Sequence, residues 1–237
     1  NAGCAPVEAI QTTTRHSLGR AREIVDTYVD LGFSTVFIRP LTPLGLARSN
    51  WDRIGYTPQE FSKFYAECLD YIIGLALRGV VISEAHASIL LRRTLNRRVN
   101  HMELRSPCGG AIGQLAYNFD GSIYTCDEGR MLAETGDHSF RLGDVFHSSL
   151  VDLIESPITN ALCIASCLEL LPAYSQCVYM PYCGTCPVVS YAQYGSLFPQ
   201  KPQDYRCAIY RAMLDTVFGH LRVGDARVRA VFEKWAS

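Results

Sequence analysis

The sequence predicts an α/β protein: strand–helix units of a parallel sheet come first, and a small α+β domain with a β-hairpin and cysteine-rich loops follows. Three observations carry this. Short β-branched runs alternate with long amphipathic helical patterns over the first hundred residues, as parallel strands joined by helices require. The texture changes at Arg105-Ser106-Pro107-Cys108, beyond which the segments are shorter and richer in Gly and Pro. Most of the ten cysteines lie past that point, on loops between short elements.

Residues 7 to 16, with Val7, Ile10 and Thr12 to Thr14, read as extended, and Ser17 is the expected N-cap of a helix carrying Ile24, Val25, Tyr28 and Val29. Thr35-Val36-Phe37-Ile38 is the next strand, ended by Pro40. Thr57-Pro58-Gln59-Glu60 combines a capping box with Pro at the first helical position. The helix it starts buries Phe61, Phe64, Tyr65, Cys68, Leu69 and Ile72 on one stripe, so Cys68 reads as a core residue. Val80-Val81-Ile82 is expected to be a third short strand, with Ser83 capping the helix after it. That is too little chain for a complete barrel.

Past residue 105 a hairpin is expected over about 111 to 126, turning at Asp120-Gly121. An irregular stretch follows, then helical patterns over Ser149 to Glu155 and Ile158 to Leu168, the cysteine-rich loop, a helix from Asp204 to about Leu221 and a short terminal helix ending near Trp235.

The chain has 237 residues, 48% apolar and 19% charged, which describes an ordinary globular protein. Its formal net charge of −1 predicts no binding to nucleic acid or to an anionic membrane. No apolar run is long enough to span a bilayer. The start, Asn1-Ala2-Gly3-Cys4, reads as a cut inside a longer protein. The thiol count without a secretory leader favours reduced cysteines in the cytoplasm, as metal ligands or small core residues.

Cys183 and Cys186 form the single Cys-x-x-Cys pair, whereas a zinc ribbon needs two such pairs. A thioredoxin-like redox pair requires the start of a helix in a βαβ unit, which that position lacks. Thiols in two spread groups, surrounded by Gly and Pro, suit iron–sulfur ligation better, because loops can then converge on an inorganic core from several directions. Zinc and structural thiols stay open as alternatives.

Cys108, twelve residues, Gly121, four residues, Cys126, a gap, Cys177, five residues, Cys183, two residues, Cys186, a gap and Cys207 together form a spacing that resembles the SPASM domain. That domain is the C-terminal extension of radical S-adenosylmethionine (radical SAM) enzymes that modify peptides and proteins, and it usually holds two auxiliary 4Fe-4S clusters. Arg105 to Cys108, Ile112 to Asn118, Tyr124 to Met131 and Phe140 to Val145 are most similar to the radical SAM maturase of the His-Xaa-Ser peptide system. Thr13 to Ser17, Phe37 to Leu41 and Ile54 to Pro58 extend that similarity into the α/β part.

The resemblance implies the C-terminal part of a partial (β/α)6 radical SAM barrel over residues 1–104 and a SPASM-like auxiliary-cluster domain over 105–237. It implies that Cys108, Cys126 and Cys186 hold a first auxiliary cluster, and Cys177, Cys183 and Cys207 a second. Two departures leave each set a ligand short. Tyr174 stands where the family has a cysteine, and the last two loop cysteines have two residues between them where the family has three. Cys167 or Cys163 is a substitute donor, with core packing the alternative for Cys163; a carboxylate, an open position or the loss of a cluster are the other readings.

Asp127 follows Cys126 as does an aspartate base in related sulfatase-maturating enzymes, with backbone hydrogen bonding at a strand end as the plainer role. Arg15, His16 and Arg39 stand at the ends of predicted barrel strands, where they face cofactor or substrate or are ordinary loop charges. The Cys-x3-Cys-x2-Cys motif is missing and Cys4 cannot replace it. S-adenosylmethionine and a third 4Fe-4S cluster are therefore expected only in the full-length protein, with the fragment not catalytic by itself. The implied partners are a ribosomal precursor peptide as substrate, a companion maturation protein and an external electron donor. The rival from another class is a zinc-binding, non-catalytic interaction module.

Overall fold

The computed structural model describes residues 8–98, 101, 104–201 and 203–237; Cys4 and Val7 lie outside them. The chain divides into two compact units, one from described residues within 1–41, 52–99 and 208–237, the other from those within 42–51 and 100–207.

In the first unit β1 (Ala9–Thr12), α1 (Ala21–Asp30) and β2 (Thr35–Arg39) form a strand–helix–strand unit, with β1 and β2 parallel and Ala9 opposite Val36. The helix starts at Ala21, four residues after the expected cap, because Ser17 is used elsewhere: residues Arg15–Ser17 make a 3-10 turn whose Ser17 hydroxyl accepts from the Thr14 N–H at 3.1 Å. Beyond β2 come two single turns, α2 (Leu46–Ser49), which belongs to the second unit, and α3 (Trp51–Ile54), whose Trp51 does too, and then the long α4 (Pro58–Leu77) of the first. Its capping box is made as the sequence predicts, with Thr57 N–H donating to Glu60 Oε2 at 2.7 Å and Glu60 N–H donating to Thr57 Oγ1 at 3.2 Å. Phe61, Phe64, Tyr65, Cys68, Leu69 and Ile72 are buried, each large apolar side chain contributing about 1.5–3 kcal/mol.

The third strand is displaced from its expected place. β3 is Ser83–Glu84, paired parallel to β2, and α5 (Ala85–Asn96) is capped by Glu84 rather than Ser83. The physical reason lies in the two residues before and the one across: Val80 N–H closes the end of α4 on Leu75, and the Ile82 carbonyl is taken by the buried indole N–H of Trp235 at 3.0 Å. Sheet pairing therefore begins only at Ser83.

In the second unit β4 (Ala116–Tyr117) and β5 (Ser122–Tyr124) form the expected hairpin. Gly121, at φ +84°, supplies the left-handed turn, and the Asp120 carboxylate accepts from the Ser122 N–H at 2.9 Å. Three elements were not anticipated. Cys126 stands two residues past β5 at the N-cap of α6 (Asp127–Ala133), and the stretch expected to be irregular supplies β6 (Arg141–Asp144), antiparallel to β5. After α7 (Leu150–Ile154) and α8 (Pro157–Ser166), the cysteine loop runs directly into the third, α9 (Pro187–Tyr194). Leu44, Cys126, Leu132, Phe140, Leu162 and Val188 form this unit's core. The last helices are α10 (Tyr205–Val223) and α11 (Ala226–Ala236). Tyr205 to Cys207 at the start of α10 belong to the second unit and the rest to the first, where α11 packs on α5 and α4.

Candidate metal centre

Three cysteines far apart in sequence line one cavity in the second unit: Cys108, Cys126 and Cys186, together with Glu128, Gln114, Thr185 and Arg206. Each is held by local structure. Cys108 N–H donates to the Ser166 hydroxyl at 2.9 Å, tying the segment after Arg105 to α8. Gly110 brings its backbone against the thiols, since a Cβ there would lie 3.8 Å from both Cys108 Sγ and Cys126 Cβ. Cys126 stands before α6 and Cys186 before α9, where Pro187 fills the first helical position.

Free backbone N–H groups at a helix start favour a thiolate, yet burial wins here. Burial pushes the Cys126 thiol up, with the Glu128 charge adding to it. Cys186 is raised well above its ordinary value by burial first and then by Glu128, against the opposing Arg206, and it also feels Cys108 and Cys126. A cation between these groups reverses that balance, because thiols deprotonate on binding metal.

Cys177, Cys183 and Cys207 gather separately, around Tyr174 and Asp204. Tyr174 O–H donates to Asp204 Oδ2 at 2.7 Å, and Asp204 Oδ1 accepts from Cys207 N–H at 3.1 Å. The Tyr174 hydroxyl is pushed up by burial and then by Asp204, with Cys207 and Cys183 adding. Cys183 is pushed up to about 11 by burial, lowered by Arg206 and raised again by Cys177 and Asp204. Arg206 is thus one side chain whose charge acts on a thiol of each set, Cys183 and Cys186.

Cys167 and Cys163 lie apart from these sets. The Cys167 thiol donates to Glu169 Oε2 at 3.4 Å, and the charge acting on Cys163 is that of Arg105. The cavity is lined from α8 by Leu162, not by Cys163. Asp127 is exposed and accepts from Arg130 Nε at 3.3 Å, while its neighbour Glu128 lines the cavity. Sequence reasoning missed Glu128; its signal was an acidic residue two positions after a ligand-type cysteine, on the first turn of a helix that had not been foreseen.

In the first unit Arg15 is engaged by backbone, donating from Nε to the Gly55 carbonyl at 2.9 Å and from Nη1 to the Asp52 carbonyl at 3.0 Å. His16 is exposed on the 3-10 turn past β1, and Arg39 is the exposed last residue of β2. Cys68 is fully buried and pushed up to about 12 by burial and the Glu84 charge, the behaviour of a core thiol. Among the described residues no three His, Cys, Asp or Glu side chains stand close enough to share a single metal ion. No helix among them is long and apolar enough to cross a membrane.

The architecture is therefore α/β: a small parallel sheet with helices in the first unit matches a partial radical SAM fold, and the second unit carries an antiparallel hairpin sheet with cysteine-bearing loops. The particular structures that show this are those of anSMEcpe. Native anSMEcpe with bound AdoMet is 17% identical at a TM-score of 0.69 over 95% of this chain. The same protein with AdoMet and the Kp18Cys peptide is 16% identical at a TM-score of 0.69, and with the Cp18Cys peptide 16% at 0.70. This chain spans 57% of the length of those chains. No family profile and no curated protein matches it. At such identity the likeness establishes the fold.

Proposed function

We propose that this chain is the auxiliary-cluster and substrate-positioning part of a radical SAM enzyme that modifies a ribosomally made peptide. The observation that carries the reading is the convergence of Cys108, Cys126 and Cys186 from three separate segments on one cavity, beside a second gathering of Cys177, Cys183 and Cys207. The donor chemistry fits iron–sulfur clusters: thiols from loops, partly or wholly screened from water, with a guanidinium near both sets. As the side chains stand the cavity is about 20 Å³, the room of one water, so seating an inorganic core requires the thiol rotamers and the loop before α9 to give.

Bound 4Fe-4S clusters would supply one-electron acceptance during oxidation of a peptide radical, or hold the substrate. The chain's own residues have narrower tasks. Cys108, Cys126 and Cys186 would hold one cluster, and Cys177, Cys183 and Cys207 the other, which ties the hairpin to the late loop so that cluster binding contributes to folding. Asp127, exposed beside Cys126, is the candidate acceptor of a substrate proton. His16 and Arg39, exposed at the carboxyl ends of β1 and β2, are candidates to face cofactor or substrate, with Arg15 bracing that edge through the Gly55 and Asp52 carbonyls.

The neighbours were solved with AdoMet and with peptides, which supports the same classes of ligand for the whole protein. S-adenosylmethionine and its own cluster would belong to the part preceding this segment, with a precursor peptide as substrate and an external electron donor in the cytoplasm. A companion maturation protein and the His-Xaa-Ser assignment rest on sequence blocks such as Arg105 to Cys108 and Phe140 to Val145.

Anaerobic reconstitution with iron and sulfide tests the reading. Two clusters per chain, by iron and sulfide content and charge-transfer absorbance, are expected. Stoichiometric zinc with no cluster uptake refutes it and leaves the zinc-module alternative.

A further inference from the structure

The first cysteine set offers three thiols, and a cubane cluster has four irons that each need an outer ligand. The side chains lining the cavity contain one further anionic donor, Glu128. Cys163 and Asp127 do not line it. The first turn of α6 explains the difference between the two adjacent acids: Asp127 pairs outward with Arg130, and one residue on, Glu128 turns back to Cys126. Its charge bears on two of the three thiols, Cys126 and Cys186.

Glu128 and the three thiols line the same cavity from three separate segments, so iron seated there faces a carboxylate as well as thiolates. We propose that Glu128 is the fourth protein donor of the Cys108–Cys126–Cys186 site, its carboxylate oxygen binding the iron that would otherwise take a fourth thiolate. The assignment rests on the reading that this cavity holds a 4Fe-4S cluster. No electron is transferred when the site takes up a preformed 4Fe-4S core: one Glu128 oxygen bonds to iron in place of the exchangeable ligand that iron carried, which leaves to solvent, and the three thiol protons leave as the thiolates bind. A carboxylate donates less electron density than a thiolate, so the cluster's reduction potential should stand above that of an all-cysteine site, as non-thiolate ligands do elsewhere.

The test is anaerobic reconstitution of the full chain with ferrous iron and sulfide, for the wild type and for Glu128→Ala, Glu128→Gln and Glu128→Cys. Iron and sulfide content, the electron paramagnetic resonance of the reduced and ferricyanide-oxidised forms, and the reduction potential are read. Glu128→Ala and Glu128→Gln should lose about one more iron per chain than the wild type on brief oxidation and show a correspondingly larger three-iron signal. Glu128→Cys should keep the full iron count with a lower potential. Far-UV circular dichroism and retained iron at the Cys177–Cys183–Cys207 set separate ligand loss from misfolding, and Glu128→Cys keeps the test decisive if the alanine variant fails to fold. A loaded wild type whose iron count, spectra and potential all survive Glu128→Ala and Glu128→Cys unchanged overturns the Glu128 assignment alone. A wild type that takes up no cluster overturns the reading beneath it as well.

Discussion

Glu84 offers a prediction whose size follows from its surroundings. It is fully buried at the end of β3, where it accepts from Tyr65 O–H at 2.8 Å, Ala87 N–H at 2.7 Å and Ile38 N–H at 3.2 Å. Burial outweighs those donors and pushes the carboxyl from an ordinary 4.5 up to about 7. Because the folded value is raised, the unfolded chain releases this proton first. The favourable contribution of the protonated carboxyl is complete below pH 4.5 and is lost as pH rises through 7. At 1.36 kcal/mol per tenfold, that loss amounts to about 3 kcal/mol between pH 4.5 and 8. Glu84→Gln keeps the shape and cannot ionise. The stability of the wild type minus that of Glu84→Gln should therefore fall by about 3 kcal/mol over that range, whatever its starting value. Urea unfolding of both chains at several pH values measures it, and the subtraction removes every other titrating group. A difference that stays flat to within about 0.5 kcal/mol would refute the argument that burial governs this carboxyl.

Three further outcomes are expected. Thr57→Ala should cost about 1 kcal/mol in urea unfolding, because it removes one half of the α4 capping box and strands the Glu60 N–H. Tyr174→Phe should cost about 1–2 kcal/mol by leaving the Asp204 carboxylate without its 2.7 Å donor, while Tyr174→Cys should raise iron uptake at the Cys177–Cys183–Cys207 set by supplying another thiolate; unchanged iron in the cysteine variant would show that this position does not face the cluster. Cys68, buried and pushed up to about 12, should resist iodoacetamide at pH 8 in the folded chain and react in urea; fast labelling of the folded chain, read by peptide mass, would contradict its core placement.

Local chemistry made some elements readable in advance. Thr57-Pro58-Gln59-Glu60 specifies the start of α4 within four residues, and Asp120-Gly121 specifies the hairpin turn, because the hydrogen bonds concerned close between near neighbours. α6 was not readable. Gly129 sits inside its seven residues, at a cost to helix propensity, and it is accommodated by long-range packing: a Cβ there would come within 2.9 Å of Phe140. β6 was equally hidden, since Arg-Leu-Gly-Asp has little strand character and becomes a strand by pairing with β5. The displaced β3 depends on Trp235, a residue at the far end of the chain, capturing the Ile82 carbonyl.

The cysteine sets divide the same way. By itself the sequence determined the thiol inventory, its spacing, the parallel strand–helix units and the later hairpin, since these depend on residue type and on neighbours along the chain. Only the tertiary structure decided that Cys163 stays off the cavity lined by Cys108, Cys126 and Cys186, and that Glu128 rather than Asp127 turns toward the thiols. Those outcomes depend on the direction in which a side chain leaves a helix turn and on how segments distant in sequence pack, and spacing along a chain does not encode either one.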